Sequence, residues 1–95
     1  MTFSMLPINF SKHAENFLRK APIKHAKQIV GRIRQLAENP NDGSTAELKG
    51  FAPHRRLKSG EYRVIYLIEQ NVLQILIIGK RNDDEVYDQL KRHLK

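Results

Sequence analysis

The stretch HRRLKSGEYRVIYLIEQNVLQILIIGK, residues 54–80, decides the fold that we predict for this 95-residue chain. Residues 62–68 are rich in β-branched and aromatic side chains and predict a strand, and the basic run 54–58 predicts another before it. Residues 72–78 are nearly all apolar, which indicates a central strand covered on both faces. Two turn signals separate these runs: Ser59-Gly60 and Gln70-Asn71. The stretch therefore predicts a three-stranded antiparallel meander.

The residues before the meander predict a strand and a helical hairpin. Residues 5–10 form a short apolar run, and Pro7 places it at a sheet edge because proline has no N–H to give to a ladder. Ser11 is a good N-cap for a first helix, and Pro22 suits the first turn of a second helix that ends at the breakers 39–43. Apolar residues recur at helical spacing in the two segments: Ala14, Phe17, Leu18 and Ala21, then Ala26, Ile29, Val30, Ile33, Leu36 and Ala37.

A last helix completes the predicted fold. Asn82 or Asp83 is a suitable N-cap, and Lys91 and Arg92 complement the dipole near its end. The expected fold class is α+β: an N-terminal strand, a helical hairpin, a three-stranded antiparallel meander that joins the first strand in one curved sheet, and a C-terminal helix. Because no linker divides the chain, residues 1–95 are expected to form a single domain.

The composition indicates a polyanionic partner. Lys and Arg number 17 against 10 acidic residues, which gives a formal net charge of +7. Such an excess points to nucleic acid, a nucleoprotein surface or an acidic protein. The chain has no cysteine, which excludes disulfides and thiolate metal sites. Neither a signal peptide nor a membrane span is recognisable, so the expected location is the cytoplasm, with no membrane partner.

Strand alternation predicts which basic residues meet on the sheet. His54, Arg56 and Lys58 point one way, whereas Arg55 and Leu57 point the other. Arg63 shares a face with Ile65, and Arg81 follows the last strand. If the strands pair as a meander, one concave, solvent-open patch collects five candidate residues: His54, Arg56, Arg63, Arg81 and Tyr87. Tyr62 and Tyr66 alternate with apolar residues and are expected in the core, while His13, His25 and His93 are expected to be inert.

This candidate patch has the groups that RNA cleavage without a metal requires. The 2′-hydroxyl must lose a proton, the charge developing on the phosphate must be stabilised, and the leaving 5′-oxygen must gain a proton. Histidine titrates near neutral pH, so His54 is a candidate base, and arginine presents a planar fork that matches phosphate oxygens. Tyr87 is suited to stacking on a base or assisting proton transfer.

Structural explanations for these charged residues compete with the catalytic interpretation. Basic residues on strands are often solvated, or protect a sheet edge from aggregation. Asp83, Asp84, Glu85 and Asp88 resemble a metal cluster, but their spacing is that of a capped helix start, without a histidine at ligand spacing. We therefore expect neither a metal nor a cofactor.

About half the chain resembles a known family. The stretches ELKG (47–50), HRRLKSGEYRVIY (54–66) and IIGKRNDDEVYDQLKRHL (77–94) resemble the RelE toxins of the RelE/ParE superfamily. The resemblance implies a small α+β fold, cleavage of mRNA in the ribosomal A site, and neutralisation by a cognate antitoxin through which the complex binds operator DNA. It assigns the catalytic and phosphate-binding roles to five positions: His54, Arg56, Arg63, Arg81 and Tyr87. Further RNA contacts are expected at Lys58, Lys80 and Arg55.

The resemblance leaves three functions open. Well-known RelE toxins carry lysines where this chain has His54 and Arg56, so the identity of the base stays open. ParE toxins share the fold, lack the catalytic set and inhibit gyrase without being enzymes. The ending "GKR…VY" favours RelE over ParE. A third alternative is an inactive homologue that only binds antitoxin.

Overall fold

The computed structural model describes residues 5–41, 45–48, 50–80 and 85–94, the last of these with side chains from 88 to 92. The fold is built on one five-stranded sheet, in which the strands lie in the order β1-β5-β4-β3-β2. The elements follow one another along the chain as β1 (Ile8–Phe10), α1 (Lys12–Lys20), α2 (Ile23–Glu38), β2 (Thr45–Glu47), β3 (Arg55–Ser59), β4 (Tyr62–Glu69), β5 (Val72–Lys80) and α3 (Glu85–Leu94). The predicted α+β class is confirmed.

The predicted meander is formed by β3, β4 and β5, which pair antiparallel. Gly60 has a φ of 60° in the first turn, a conformation that glycine adopts without steric cost. In the second turn Gln70 and Asn71 both have positive φ, at 52° and 63°. Positive φ at both central residues matches the right-handed twist of the flanking strands. The two turns thus fix the register of the strands.

β1 lies at the sheet edge that Pro7 predicted, and it pairs parallel with β5. The carbonyl of Pro7 accepts a hydrogen bond from the Leu73 N–H at 2.9 Å, while the missing proline N–H costs no ladder bond at an edge. The strand begins at Ile8, so it is shorter than the apolar run that predicted it.

Ser11 joins the first helix to an irregularity in the sheet. Its hydroxyl accepts from the Ala14 N–H at 3.0 Å as the predicted N-cap of α1, and donates to the Leu76 carbonyl at 2.6 Å. Leu76 is an extra residue, because Ile65 pairs with Ile77 while the next residue, Tyr66, pairs with Ile75. One serine therefore ties the start of α1 to a bulge in β5.

The sheet is covered by apolar residues on both faces, as predicted for its last strand. Under α1 and α2 lies a large cluster that includes Leu57, Val64 and Tyr66. Under α3 lies a smaller one formed by Leu48, Ile65, Ile77 and Leu90, with Phe51 and Leu76 packed against it. Tyr62 and Tyr66 are buried in the larger cluster, as expected. We call the two surfaces the α1–α2 face and the α3 face.

The sequence did not predict β2. This strand has three residues and pairs with β3 through Thr45, Ala46 and Glu47. Three residues are too few for an alternating pattern to stand out from a loop. Among the helices described, none combines the length and the apolar character that crossing a membrane requires.

Candidate functional site

Three cations share the α3 face, where strand alternation placed them. Arg56 lies opposite Ile65, a member of the cluster under α3, and Lys58 lies opposite Arg63 two residues further along. Leu57, between them, points into the core of the other face. Arg56, Lys58 and Arg63 therefore form one basic group on the α3 face.

His54 adjoins this group through a loop that fixes its ring. It lies one residue before β3, and its Nδ1 donates to the Phe51 carbonyl at 2.9 Å. Because a carbonyl only accepts, Nδ1 carries the proton, and a neutral ring then keeps its lone pair on Nε2. The loop thus sets both the orientation and the tautomer that a general base at Nε2 requires.

The expectation of a solvent-open patch is wrong for His54, which is only 8% exposed. The cause is the loop from Leu48 to His54, which closes on itself through backbone hydrogen bonds. Phe51 N–H donates to the Leu48 carbonyl at 3.0 Å, and His54 N–H donates to the Phe51 carbonyl at 2.9 Å. A closed loop packed beneath α3 by Phe51 leaves the imidazole little contact with solvent.

Arg63 is held by the turn that precedes it. Its Nη1 donates to the carbonyls of Gly60 and Tyr62, at 3.2 and 2.9 Å. A guanidinium has five N–H donors, so Nε and Nη2 keep theirs for a ligand. No carboxylate among the described residues pairs with Arg63. Its orientation is therefore set by backbone oxygens and its charge is not neutralised in the described part of the chain.

The pairing of Lys58 with Arg63 opposes two like charges across neighbouring strands. Such a pair destabilises a sheet when nothing lies between the charges. The next position across the sheet is Gly79 of β5, which brings no side chain to this row. An anion bound over these strands would offset the repulsion, and a phosphate matches both cations.

Two of the predicted RNA contacts lie on the opposite face. Arg55 donates from Nε to the Tyr66 hydroxyl and from Nη2 to Thr45 Oγ1, both at 3.3 Å, and its Nη1 is 3.8 Å from Glu47 Oε1. Lys80 is exposed and pairs with Tyr62, which belongs to the α1–α2 face. The structure thus separates both from the basic group, and their role in RNA binding stays a prediction.

The remaining candidates are not covered by the structure. Arg81 and the side chain of Tyr87 lie outside the described residues, as do the predicted caps Asn82 and Asp83. Across the side chains that are described, no three His, Cys, Asp or Glu residues come together to hold a metal ion. Of the predicted set, the structure places Arg56, Lys58 and Arg63 on one sheet face, and His54 one residue before the strand that carries two of them.

Sequence reasoning missed what orients these side chains. The partners of His54 and Arg63 are backbone carbonyls, which every residue carries and no motif marks. His25, which we expected to be inert, forms a 2.7 Å hydrogen bond with the Tyr62 hydroxyl. The helical spacing of His25 gave no signal for this bond, since the two residues are 37 positions apart.

A separate groove of about 340 Å³ runs along α2, lined by Ala26, Lys27, Val30, Gly31 and Arg34. A side chain at Gly31 would meet nothing within 4 Å. Helix α2 packs on the α1–α2 face through Ile29 and Ile33, so this groove and the basic group belong to opposite sides of the sheet.

Solved structures resemble this one along most of the chain. A double Arg-to-Ala mutant of the E. coli toxin RelE in its free state aligns with a TM-score of 0.78 and 21% identity, covering 97% of this chain and 100% of that one. The archaeal RelE–RelB complex from Pyrococcus horikoshii gives 0.70 and 22%, covering 82% and 97%. The RelBE2 toxin–antitoxin complex from Mycobacterium tuberculosis gives 0.71 and 22%, covering 82% and 100%. These likenesses establish the fold.

Sequence comparison identifies the family. A search of curated proteins finds no match. A family model described as the ParE toxin of the type II toxin–antitoxin system parDE matches residues 8–85, which is most of the chain. The match includes β1 to β5 and the basic group on the α3 face. The chain therefore belongs to the ParE toxin family of type II toxin–antitoxin systems, within the RelE/ParE superfamily.

Proposed function

We propose that this toxin is an endoribonuclease that cleaves mRNA on the ribosome without a metal ion and so inhibits translation. The observation that carries the proposal is the oriented ring of His54 directly before β3, next along the chain to a strand whose Arg56 and Lys58 share the α3 face with Arg63. A ring with a fixed tautomer close to a group of cations supplies a base and a phosphate-binding surface together.

The proposed reaction is an internal transfer within the RNA. His54 Nε2 takes the proton of a 2′-hydroxyl, and the 2′-oxygen attacks the adjacent phosphorus. The bond from phosphorus to the 5′-oxygen breaks, and this oxygen takes a proton from the Tyr87 hydroxyl or from water, which leaves a 2′,3′-cyclic phosphate and a 5′-hydroxyl. Arg56 and Arg63 stabilise the charge that develops on the phosphate. The resemblance to RelE assigns Arg81 to the same phosphate and Tyr87 to base stacking or proton transfer.

We propose dependence on the ribosome because the basic group recognises phosphate and not sequence. Arg and Lys side chains bind phosphate, which every nucleotide carries and which contains no sequence information. The message must therefore be selected and placed by a second partner. The sequence resemblance to the RelE toxins implies the ribosome as that partner.

We also propose that an acidic antitoxin neutralises the toxin. Structural relatives are complexes of RelE with RelB, and this chain carries a net charge of +7. The groove on α2 is apolar at Ala26 and Val30 and is flanked by the cations Lys27 and Arg34. An amphipathic segment with acidic flanks fits such a groove, since its apolar side and its charges are both complementary.

The test is inducible expression followed by primer extension on cellular mRNA, for the wild type, Arg63→Ala and Arg81→Ala. Codon-phased cuts should appear with the wild type and fall about 10²- to 10³-fold for each arginine that stabilises the transition state. Arg19→Ala is the matched control, because it removes an exposed cation of α1 on the other side of the sheet. Equal cutting by all four proteins would exclude Arg63 and Arg81 from catalysis, and the absence of cuts with the wild type would exclude the nuclease.

The match to the ParE family favours a second candidate, a gyrase inhibitor that is not an enzyme. This candidate predicts toxicity without mRNA cuts, and inhibition of DNA supercoiling by gyrase in a purified assay. Toxicity that survives Arg63→Ala together with lost supercoiling would establish it. A protein that binds antitoxin but does neither would be the inactive homologue.

A further inference from the structure

We infer that His25 and Tyr62 are positioning residues that hold Arg63 in place across the sheet, through the turn between β3 and β4. The inference rests on the proposed function, because it takes Arg63 as a phosphate-binding residue. Its first observation is that Arg63 Nη1 donates hydrogen bonds to two backbone carbonyls, those of Gly60 and Tyr62. Both belong to the turn or to the strand residue directly after it.

Helix α2 fastens this turn from the opposite side of the sheet. The Tyr62 hydroxyl forms its 2.7 Å hydrogen bond with Nδ1 of His25, and the two rings meet edge to face with centroids 5.5 Å apart. Phe17 of α1 packs against the same ring at 5.8 Å. Gln28 approaches Gly60 so closely that a side-chain carbon there would lie 3.2 Å from its Nε2. Tyr62 is thus held by helices on one side of Glu61, and Gly60 on the other side lies next to a side chain of α2.

The polar pair is not needed for packing. Tyr62 is 8% exposed and belongs to the apolar cluster under α1 and α2, where a phenylalanine ring would fill the same space. Its hydroxyl requires a partner at this depth, and a histidine supplies one. A hydrogen bond adds a fixed direction that apolar contact lacks. The pair therefore defines the rotation of the Tyr62 ring and of the backbone that bears it.

The route from His25 to Arg63 is short. The side chain of Tyr62 points to the α1–α2 face. Its backbone carbonyl accepts a hydrogen bond from Arg63, whose side chain lies on the α3 face. When the ring loses its anchor, the peptide between Tyr62 and Arg63 gains freedom, and both carbonyl contacts lengthen. The guanidinium then spends less time in the orientation that a phosphate needs, so the cleavage step slows while the fold remains.

The test is a double-mutant cycle on single-turnover cleavage of a ribosome-bound message by the full chain. Tyr62→Phe should slow the reaction about 2- to 10-fold, the effect of losing one hydrogen bond. In the Arg63→Ala background the same change should not slow cleavage further, because Tyr62 affects cleavage only by orienting the Arg63 side chain. Additive losses would overturn the inference.

Tyr66→Phe is the matched control. Tyr66 is the other buried tyrosine of β4, and its hydroxyl accepts from Arg55 rather than from α2. The change removes the same atom from the same strand, yet it should leave the cleavage rate unaltered in both backgrounds. Equal effects of the two tyrosine changes would mean that a lost core hydroxyl, not the turn, is responsible.

His25 gives a rescue experiment on the helix side. His25→Ala should slow cleavage as Tyr62→Phe does, and the double variant should be no slower than either. His25→Asn keeps a polar group near the position of Nδ1 and should restore most of the rate. Equal cleavage rates for His25→Asn and His25→Ala would contradict the proposal that the hydrogen bond between His25 and Tyr62 positions Arg63.

A spectroscopic readout separates this inference from the proposed function. The Nε–Hε resonance of Arg63, assigned by its loss in Arg63→Ala, should move or broaden in Tyr62→Phe and stay in place in Tyr66→Phe. If the wild type does not cleave mRNA while this resonance responds to Tyr62→Phe, the nuclease assignment fails and the positioning stands. If Arg63→Ala loses cleavage and the Arg63 resonance is unchanged in Tyr62→Phe, only the positioning role of His25 and Tyr62 is refuted.

Discussion

At the scale of single residues, His54 owes its candidate role to one hydrogen bond. The Phe51 carbonyl holds the proton on Nδ1 and thereby leaves Nε2 as the basic atom of a neutral ring. The bond orients the ring for the role of base that we propose.

We predict that His54→Asn separates this structural bond from the base. The asparagine amide reaches roughly the position of Nδ1 and can still donate to the Phe51 carbonyl, but nothing replaces Nε2. Cleavage should fall about 10²-fold or more, the usual contribution of a general base. The midpoint temperature of thermal unfolding should be close to the wild-type value for His54→Asn. It should be lower for His54→Ala, because this change also leaves the Phe51 carbonyl unpaired.

Single-turnover cleavage on programmed ribosomes measures the first effect and a melting curve measures the second. A fully active His54→Asn variant would exclude His54 as the base and leave Tyr87 as the candidate for proton transfer.

At the scale of elements, the sequence predicts what depends on neighbours along the chain. The strand pattern of 62–68 and the turns at Gly60 and Asn71 are local, and they produce the meander. The capping role of Ser11 is local too, but its bond to Leu76 is not, because the two residues are 65 positions apart. Sequence alone therefore predicted the cap and could not predict the bulge.

The same distinction explains the candidate site. Alternation along β3 and β4 brought Arg56, Lys58 and Arg63 to one face, since the period of a strand is fixed by its backbone. The burial of His54 was not predictable, because it depends on a loop that closes through backbone hydrogen bonds. Patterns of side chains carry no information about which carbonyl a loop will present.

We predict that Ser11→Ala destabilises the fold by about 2–3 kcal/mol, as the sum of a lost N-cap and an unpaired Leu76 carbonyl. Ser59→Ala is the matched control. Ser59 is 1% exposed, and its hydroxyl has no hydrogen-bond partner in the described part of the chain. Alanine there should change the free energy of unfolding by less than about 1 kcal/mol, because no bond is lost.

Urea denaturation of the two variants provides the comparison, with unchanged m-values as the sign that only stability has altered. If Ser11→Ala unfolds at the same midpoint as Ser59→Ala, the link between α1 and the bulge contributes nothing to stability.

At the scale of the whole molecule, the sheet keeps two surfaces apart. The basic group with His54 lies on the α3 face, and the groove along α2 belongs to the other side. Both surfaces are basic, in keeping with a net charge of +7. A toxin whose antitoxin binds the α2 groove need not have its active site covered directly by that segment.

This separation leads to a prediction about Lys27→Glu combined with Arg34→Glu. Both side chains are exposed at the groove, so reversing them should repel an acidic antitoxin segment and weaken its binding about 10-fold or more, chiefly through slower association at low salt. Cleavage of ribosome-bound mRNA by the isolated toxin should be unchanged, since neither residue lies on the α3 face. The matched control is Lys12→Glu with Arg19→Glu, which reverses two exposed charges of α1.

Titration of the antitoxin against immobilised toxin at two salt concentrations measures the binding, and the loss should shrink at high salt because screening removes the repulsion. Co-expression gives a second readout, in which the groove variant stays toxic in the presence of antitoxin and the α1 variant is neutralised. An antitoxin that binds both variants equally, but loses affinity on Arg63→Ala, must instead cover the basic group itself. Neutralisation would then act by blocking the phosphate-binding surface rather than from the far side of the sheet.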